Sequence, residues 1–163
     1  NVCAYNLLLN HFHLIVRIKS ETEIIRCSKL WCRHQRVPYR PLKPSQQFSN
    51  FFNGYAKAMN KVYERKGSLF QRQFKRILID SDDYLQYVIA YVHTNAQKHN
   101  MVDDFRNWEF SSYHKILSDK PTYLLKEKVL ALYNGEKNYI NYHENFLYAR
   151  NVASSKYDNF AGR

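Results

Sequence analysis

Hydrophobic positions along this chain fall into blocks whose spacing changes, and the spacing predicts most of the elements. Ala4 to Ile18 is dense in Leu, Ile, Val and aromatic residues and too short for a long helix, which predicts a strand. Ser20 to Cys32 fits a short helix. Arg33 to Gln46 carries three prolines, four Lys or Arg residues and His34, and reads as an extended basic loop. From Ser45 to Lys66 the pattern turns helical, with Phe48, Phe51, Phe52, Tyr55, Met59 and Val62 along one side and Gly67 as the stop. Ser68 to Asp80 predicts a second strand, with Gln71, Gln73 and Lys75 on one face and Arg72, Phe74 and Arg76 on the other.

Asp80 or Ser81 then caps a strong helix whose first turn holds Asp82 and Asp83. Its apolar stripe is Tyr84, Leu85, Val88, Ile89 and Val92. A polar loop, the cluster NWEFSSYHKIL (Asn107 to Leu117) and Lys120-Pro121 follow. Two further helical patterns fit Thr122–Tyr133 and Glu136–Tyr148, and the residues from Asn151 look frayed. The tail after Leu117 either packs on the domain or mediates a homodimer, and the pattern leaves both open. No internal repeat is visible.

Charge narrows the partner. The chain has 163 residues and a formal net charge of +11. Residues 1–80 hold fifteen Lys/Arg and four Asp/Glu, whereas residues 81–163 hold ten of each. The whole excess sits in the first half, as in a binder of polyanions. Nucleic acid is favoured over an anionic membrane surface, because no basic amphipathic helix with a clean apolar face stands out. No apolar run is long enough for a membrane span. No signal peptide is visible, although the chain opens on Asn1 rather than Met, so an upstream segment stays open. Cys3, Cys27 and Cys32 form no repeating frame and read as reduced thiols of a cytoplasmic protein; Cys27, Cys32 and His34 are too few and too irregular for a zinc knuckle.

The chemistry starts from NHFHLIVRI, Asn10 to Ile18. In a strand, i and i+2 share a face roughly 7 Å apart, so His11 and His13 can converge on one cation while Phe12 points into the core. An H-x-H pair alone is a weak signal. In YVIAYVHTNAQ, Tyr91 and Asn95 stand one helical turn apart on one side. A phenol there can serve as a nucleophile and the Asn95 amide oxygen as a third ligand. With fourteen tyrosines in the chain, spacing does not select Tyr91 over Tyr87.

Four ordered blocks add a family likeness: NHFHLIVRI, GSLFQRQFKRILI, YLQYVIAYVHTNAQKHNMV and WEFSSYHKIL. From about Val2 to Leu117 they resemble the single-tyrosine transposases of the HUH endonuclease superfamily, most closely the REP-associated tyrosine (IS200-like) transposases. The resemblance implies an α+β fold over residues 1–117. That fold is a ferredoxin-like (RRM-like) antiparallel sheet with helices on one face and the H-x-H pair on a central strand. A helical C-terminal extension would occupy 118–150, before a frayed tail at 151–163. It implies Tyr91 as the nucleophile, by its place in the Y-[VI]-H-x-N block, and His11, His13 and Asn95 as ligands of Mg²⁺ or Mn²⁺. Two positions depart from the family block, which usually has Pro at the places of Ala96 and Leu9. Members also carry a strand and a helix upstream of the H-x-H strand, where this chain has almost nothing.

The activity implied is cleavage of single-stranded DNA, hairpin-containing, through a 5′-phosphotyrosine and strand transfer, in the cytoplasm at the nucleoid. Arg17, Lys19, Arg33, Arg36, Arg40, Arg72, Lys75 and Arg76 are the candidate phosphate contacts, with Phe70 and Phe74 placed to stack on bases. Three other readings compete. They are a DNA-hairpin-binding protein that has lost cleavage, an RRM-like RNA-binding module, and a metal-dependent hydrolase using water, which would leave no covalent adduct.

Overall fold

The computed structural model describes residues 1–35, 43–71 and 75–152. The described chain is α+β and divides into two compact units. One comprises Asn1–Arg17 with Ile79–Arg163, the other Ile18–Leu78.

The first unit opens with a β-hairpin rather than the single long strand that apolar density predicts. Strand β1 (Val2–Leu7) pairs antiparallel with β2 (Phe12–Val16), in a register that sets Asn6 opposite His13 and Ala4 opposite Ile15. The turn lies at Leu9-Asn10 and is closed by the Leu8 amide donating to the His11 carbonyl at 2.9 Å. No Gly or Pro marks this turn, which is why periodicity runs the two strands together. β1 therefore supplies a strand ahead of the H-x-H pair. Its other edge is occupied by Phe110–Ser112: the Leu7 amide donates to the Phe110 carbonyl at 3.1 Å and the Ser112 amide to Tyr5 at 3.0 Å. The sheet among the described residues is thus two-stranded, with isolated bridges at Asn6–Ser111 and Val2–Leu124.

Helix α3 (Asp82–Lys98) is the hub of this unit. Ser81 is its N-cap, its hydroxyl accepting from the Tyr84 amide, and Asp82 and Asp83 favour the positive end of the helix dipole. The helix is buried all round from Val88 to Ala96, wider than the predicted stripe, because the hairpin covers one side and a later helix the other. Downstream come a 3₁₀ turn (Phe105–Asn107), α4 (Tyr113–Leu117), α5 (Lys126–Leu132) and α6 (Glu136–Val152). α4 and the 3₁₀ turn are too short to show periodicity. α5 begins four residues later than the predicted Thr122, after a bend that donates the Leu125 amide to the Val2 carbonyl.

α6 is tied to α3 by a fully buried polar chain. The His143 Nδ1–H donates to the Tyr139 carbonyl at 2.7 Å, so its Nε2 accepts, 2.9 Å away, from the Nδ1–H of His93. His93 Nε2 in turn accepts the Ser112 hydroxyl proton at 2.8 Å, and the Ser112 oxygen receives the Tyr5 amide at 2.8 Å. Every tautomer follows from that one fixed carbonyl. Of the two roles left open for the tail, α6 packs on the domain.

In the second unit, α1 (Glu21–Gln35) matches the predicted short helix, and α2 (Pro44–Val62) starts at its predicted place. α2 ends before Gly67. The Tyr63 amide caps back on Met59, Glu64 turns left-handed at φ 51°, and the Asn60 side chain donates to the Gly67 carbonyl at 2.8 Å. Half of the predicted basic loop, residues 36–42, lies outside the described residues; Arg33–Gln35 instead continue α1 and Pro44–Gln46 open α2, so the loop is shorter than its prolines and charges suggest. The strand predicted over Ser68–Asp80 does not form among the described residues of that segment, where the backbone is irregular. A strand needs a neighbouring edge to pair with, and alternation alone does not supply one.

Candidate active site

The inner face of the hairpin faces α3, and this fixes which side chains meet. On β2, His13 and Ile15 turn inward, Ile15 being buried, while Phe12 and Leu14 are substantially exposed. The expectation that Phe12 enters the core is therefore corrected. The strand's alternation places His13, not Phe12, on the helix side.

On α3, Tyr91 and Asn95 project from the side that meets β2, and both are buried. The Asn95 Nδ2–H donates to His13 Nε2 at 2.7 Å, and the Tyr91 ring lies 5.9 Å from the His13 ring, edge to face. Tyr87 packs instead against Phe146 of α6, its ring centroid 5.1 Å away. Packing thus sets Tyr91, and not Tyr87, beside His13. His11 stands just before β2, its ring 5.1 Å from that of His13, and bonds Asn10 Oδ1 at 2.7 Å. His93, two residues from each of Tyr91 and Asn95, points to the opposite side of α3 and into the α6 network.

Two further residues belong to this corner. His99, the C-cap of α3, brings its ring within 5.6 Å of His11, and the Lys98 ammonium lies over the Tyr91 ring at 5.3 Å. His99 follows Asn95 by four positions, a same-face signal present in the sequence but overlooked.

Electrostatics keep the imidazoles neutral. Burial, then the positive potential of His11, His99 and Lys98, pulls His13 down to about 4. Burial and then His99 lower His11 as well. A neutral imidazole has the lone pair that a cation needs; that of His13 Nε2 accepts the Asn95 Nδ2–H here, so a cation would take it with the Asn95 amide turned to present its oxygen. Asn95 Oδ1 is buried without a hydrogen-bond partner, an amide oxygen already stripped of water. Two imidazoles and that oxygen form a donor set suited to a divalent cation. Among the described residues, no three His, Cys, Asp or Glu side chains form a metal cage by themselves.

The predicted phosphate contacts are less concentrated. Arg17 closes the hairpin, its amide donating to Asn1 at 2.9 Å. In the second unit, Lys19 donates to Cys27 Sγ at 3.1 Å, and Arg33, Lys75 and Arg76 are exposed. Arg36, Arg40, Arg72 and Phe74 lie outside the described residues. Cys3 and Cys27 are free thiols. Among the described residues no helix is long and apolar enough to cross a membrane.

No family model and no solved structure matches this chain. A curated protein of Haemophilus influenzae, named as a REP-associated tyrosine transposase, is 25% identical over 112 residues. That match covers 69% of this chain and 58% of the relative's length. Over those 112 residues the chain is similar to a protein named as a tyrosine transposase.

Proposed function

We propose that this chain is a metal-dependent endonuclease of single-stranded DNA, of the tyrosine transposase kind, with Tyr91 as its nucleophile. The observation that carries this reading is the meeting of His13, Asn95 and Tyr91 across the hairpin and α3. The named relative supports it independently.

In the proposed reaction the Tyr91 phenolic oxygen attacks a DNA phosphorus in line. The new bond joins tyrosine to the 5′ side of the break, the bond to the 3′ oxygen breaks, and that oxygen takes up a proton as the phenol gives one away. One phosphodiester replaces another, so the intermediate keeps the energy needed to rejoin a second strand. Close packing of Tyr91 limits its rotamers and orients the attack. The Lys98 ammonium beside the ring sets positive charge where the phosphate must arrive. His11, His13 and Asn95 would hold Mg²⁺ or Mn²⁺, and the neutral state of His13 and the unpartnered Asn95 oxygen fit that duty. Such a cation, when bound, supplies Lewis-acid neutralisation of the phosphate. The same reading takes the hairpin and the Phe110–Ser112 edge as parts of a ferredoxin-like sheet.

The test is a denaturing gel with labelled hairpin-bearing single-stranded oligonucleotides and Mg²⁺ or Mn²⁺. A protein–DNA adduct that disappears in Tyr91→Phe and with chelator is the expected result. Cleavage that survives Tyr91→Phe would assign the nucleophile elsewhere.

A further inference from the structure

Helix α2 has no role in the reading above, yet it is the least ordinary surface of the molecule. It is nineteen residues long, contains no Asp or Glu, and has no buried residue at all. Around its circumference the side chains sort into bands. Phe48, Phe52 and Met59 form a half-buried edge, with Phe70 from the following turn set 5.3 Å from Phe52. Beside that edge runs an open stripe of Phe51 (63% exposed), Tyr55 (47%) and Val62 (72%). Gly54 and Ala58 come next, and beyond them Lys57 and Lys61, all exposed.

A bare apolar stripe on a helix ordinarily wants a protein partner, but charge argues otherwise. The unit that holds α2, Ile18–Leu78, carries fourteen Lys and Arg against three Asp and Glu, a net of +11. The other unit carries eleven of each and is neutral. The entire net charge of the protein therefore belongs to the unit that holds the exposed aromatics, and none to the unit that holds the proposed nucleophile. α1 of the same unit adds an open groove lined by Ile25 and Leu30 with Arg26, Lys29 and Arg33, apolar and basic though without an aromatic ring. Aromatic faces set beside cations and free of carboxylates suit a ligand that combines flat rings with regular negative charge.

We propose that the Phe51–Tyr55 stripe of α2 stacks unpaired bases of single-stranded DNA, with Lys57 and Lys61 on the adjoining phosphates. Phe51 and Tyr55 stand one turn apart, about 6 Å along the axis, whereas bases stacked in a duplex strand are 3.4 Å apart. Two rings at that spacing take bases drawn apart from each other, which a single strand allows and a duplex resists. The surface holds DNA in a sequence-tolerant way, since every base has a face to stack. It adds a binding element that the cleavage chemistry does not itself require, and it rests on the proposed function only for its choice of nucleic acid.

Fluorescence anisotropy on the full chain carrying Tyr91→Phe measures binding apart from cleavage. The probes are labelled oligo(dT), a DNA duplex of equal length and oligo(U). Phe51→Ala with Tyr55→Ala is expected to weaken oligo(dT) binding roughly tenfold or more. Lys57→Gln with Lys61→Gln is expected to flatten the salt dependence by a slope of about 1.4, two phosphate contacts on a single strand. Circular dichroism melts confirm that each variant is folded. Unchanged oligo(dT) affinity in the folded aromatic variant overturns the proposal, as does equal binding of the duplex lost in the same variant. Tighter oligo(U) binding that disappears in the aromatic variant would assign the stripe to RNA. Absence of a covalent adduct in the native chain, with these binding results intact, would remove the nuclease reading and leave this surface standing.

Discussion

The two units of this chain solve opposite problems. Asn1–Arg17 with Ile79–Arg163 is electrically neutral and wraps α3 so completely that nine consecutive residues are buried. Ile18–Leu78 carries the whole net charge and includes a nineteen-residue helix with nothing buried. Reactive groups must be held at fixed separations in a water-poor setting, and a dense neutral interior does this without repelling its own parts. Gripping a polyanion needs the reverse, charges left in solvent where counterions can be exchanged. On the proposed function, the contrast assigns the basic excess to the DNA partner and the chemistry to the unit whose net charge is zero.

The largest effects belong to the packed unit. Ile89 is fully buried in α3, and Ile89→Ala removes buried methyl and methylene groups with little room for collapse. A loss of about 2–5 kcal/mol is expected by urea unfolding followed at 222 nm. A loss below about 1 kcal/mol would mean that this interior is looser than its burial implies.

Acid provides the next test of the same interior. His143 is held down to about 4, mainly by burial, and burial keeps His93 well below its ordinary value. In the unfolded chain both titrate near 6.5. Between those values the unfolded state binds more protons, so the stability they contribute is complete above about pH 6.5 and is lost as pH falls toward 4. Lowering pH from 7 to 5 is expected to cost on the order of 2 kcal/mol through His143, with a further loss through His93. His143→Gln is expected to flatten that dependence while lowering stability at pH 7. A parent chain equally stable at both pH values would contradict the neutral tautomer chain linking His143, His93 and Ser112.

A smaller effect separates site from grip. Asn95→Ala is expected to weaken Mn²⁺ binding about tenfold or more, read by electron paramagnetic resonance of the free ion, without DNA present. Lys57→Gln with Lys61→Gln is expected to leave that affinity unchanged. If both variants weakened Mn²⁺ alike, the ion would be responding to general charge rather than to a built set of ligands.

What the sequence could reveal follows from how local each feature is. α3 was legible as a helix, because its cap, its acidic first turn and its apolar stripe all lie within one segment, whereas its burial all round depends on the elements packed on it. The turn at Leu9-Asn10 was not, since it lacks the glycine or proline that usually marks a hairpin. Tyr91 could be paired with Asn95 by helical spacing, but its preference over Tyr87 depends on Phe146, some sixty residues downstream. Likewise the inward face of β2 was misassigned at Phe12, because alternation gives two faces and only α3 says which is inside. The His93–His143 bond joins positions fifty residues apart and has no local signature at all. The basic excess was plain from composition, yet its coincidence with a separate unit emerges only once the chain is folded.

The smallest expected change is the one that most sharpens the contrast between the units. Phe51→Ala and Tyr55→Ala each delete a large aromatic ring, which in a packed interior costs about 3–5 kcal/mol for Phe. On α2 Phe51 and Tyr55 are 63% and 47% exposed, so about half or more of each residue already faces water in the folded state. Phe51 retains an edge contact with Phe52, and Tyr55 a tilted contact with Phe70, so the loss is not zero. Each single variant is expected to shift stability by about 0.5 kcal/mol or less, measured by urea unfolding beside Ile89→Ala. A cost of several kcal/mol would show that α2 buries this face in solution, and the stripe would then be core rather than a surface for bases. A near-neutral result would mean that two aromatic residues are kept on display without serving the fold, as a surface reserved for a ligand requires.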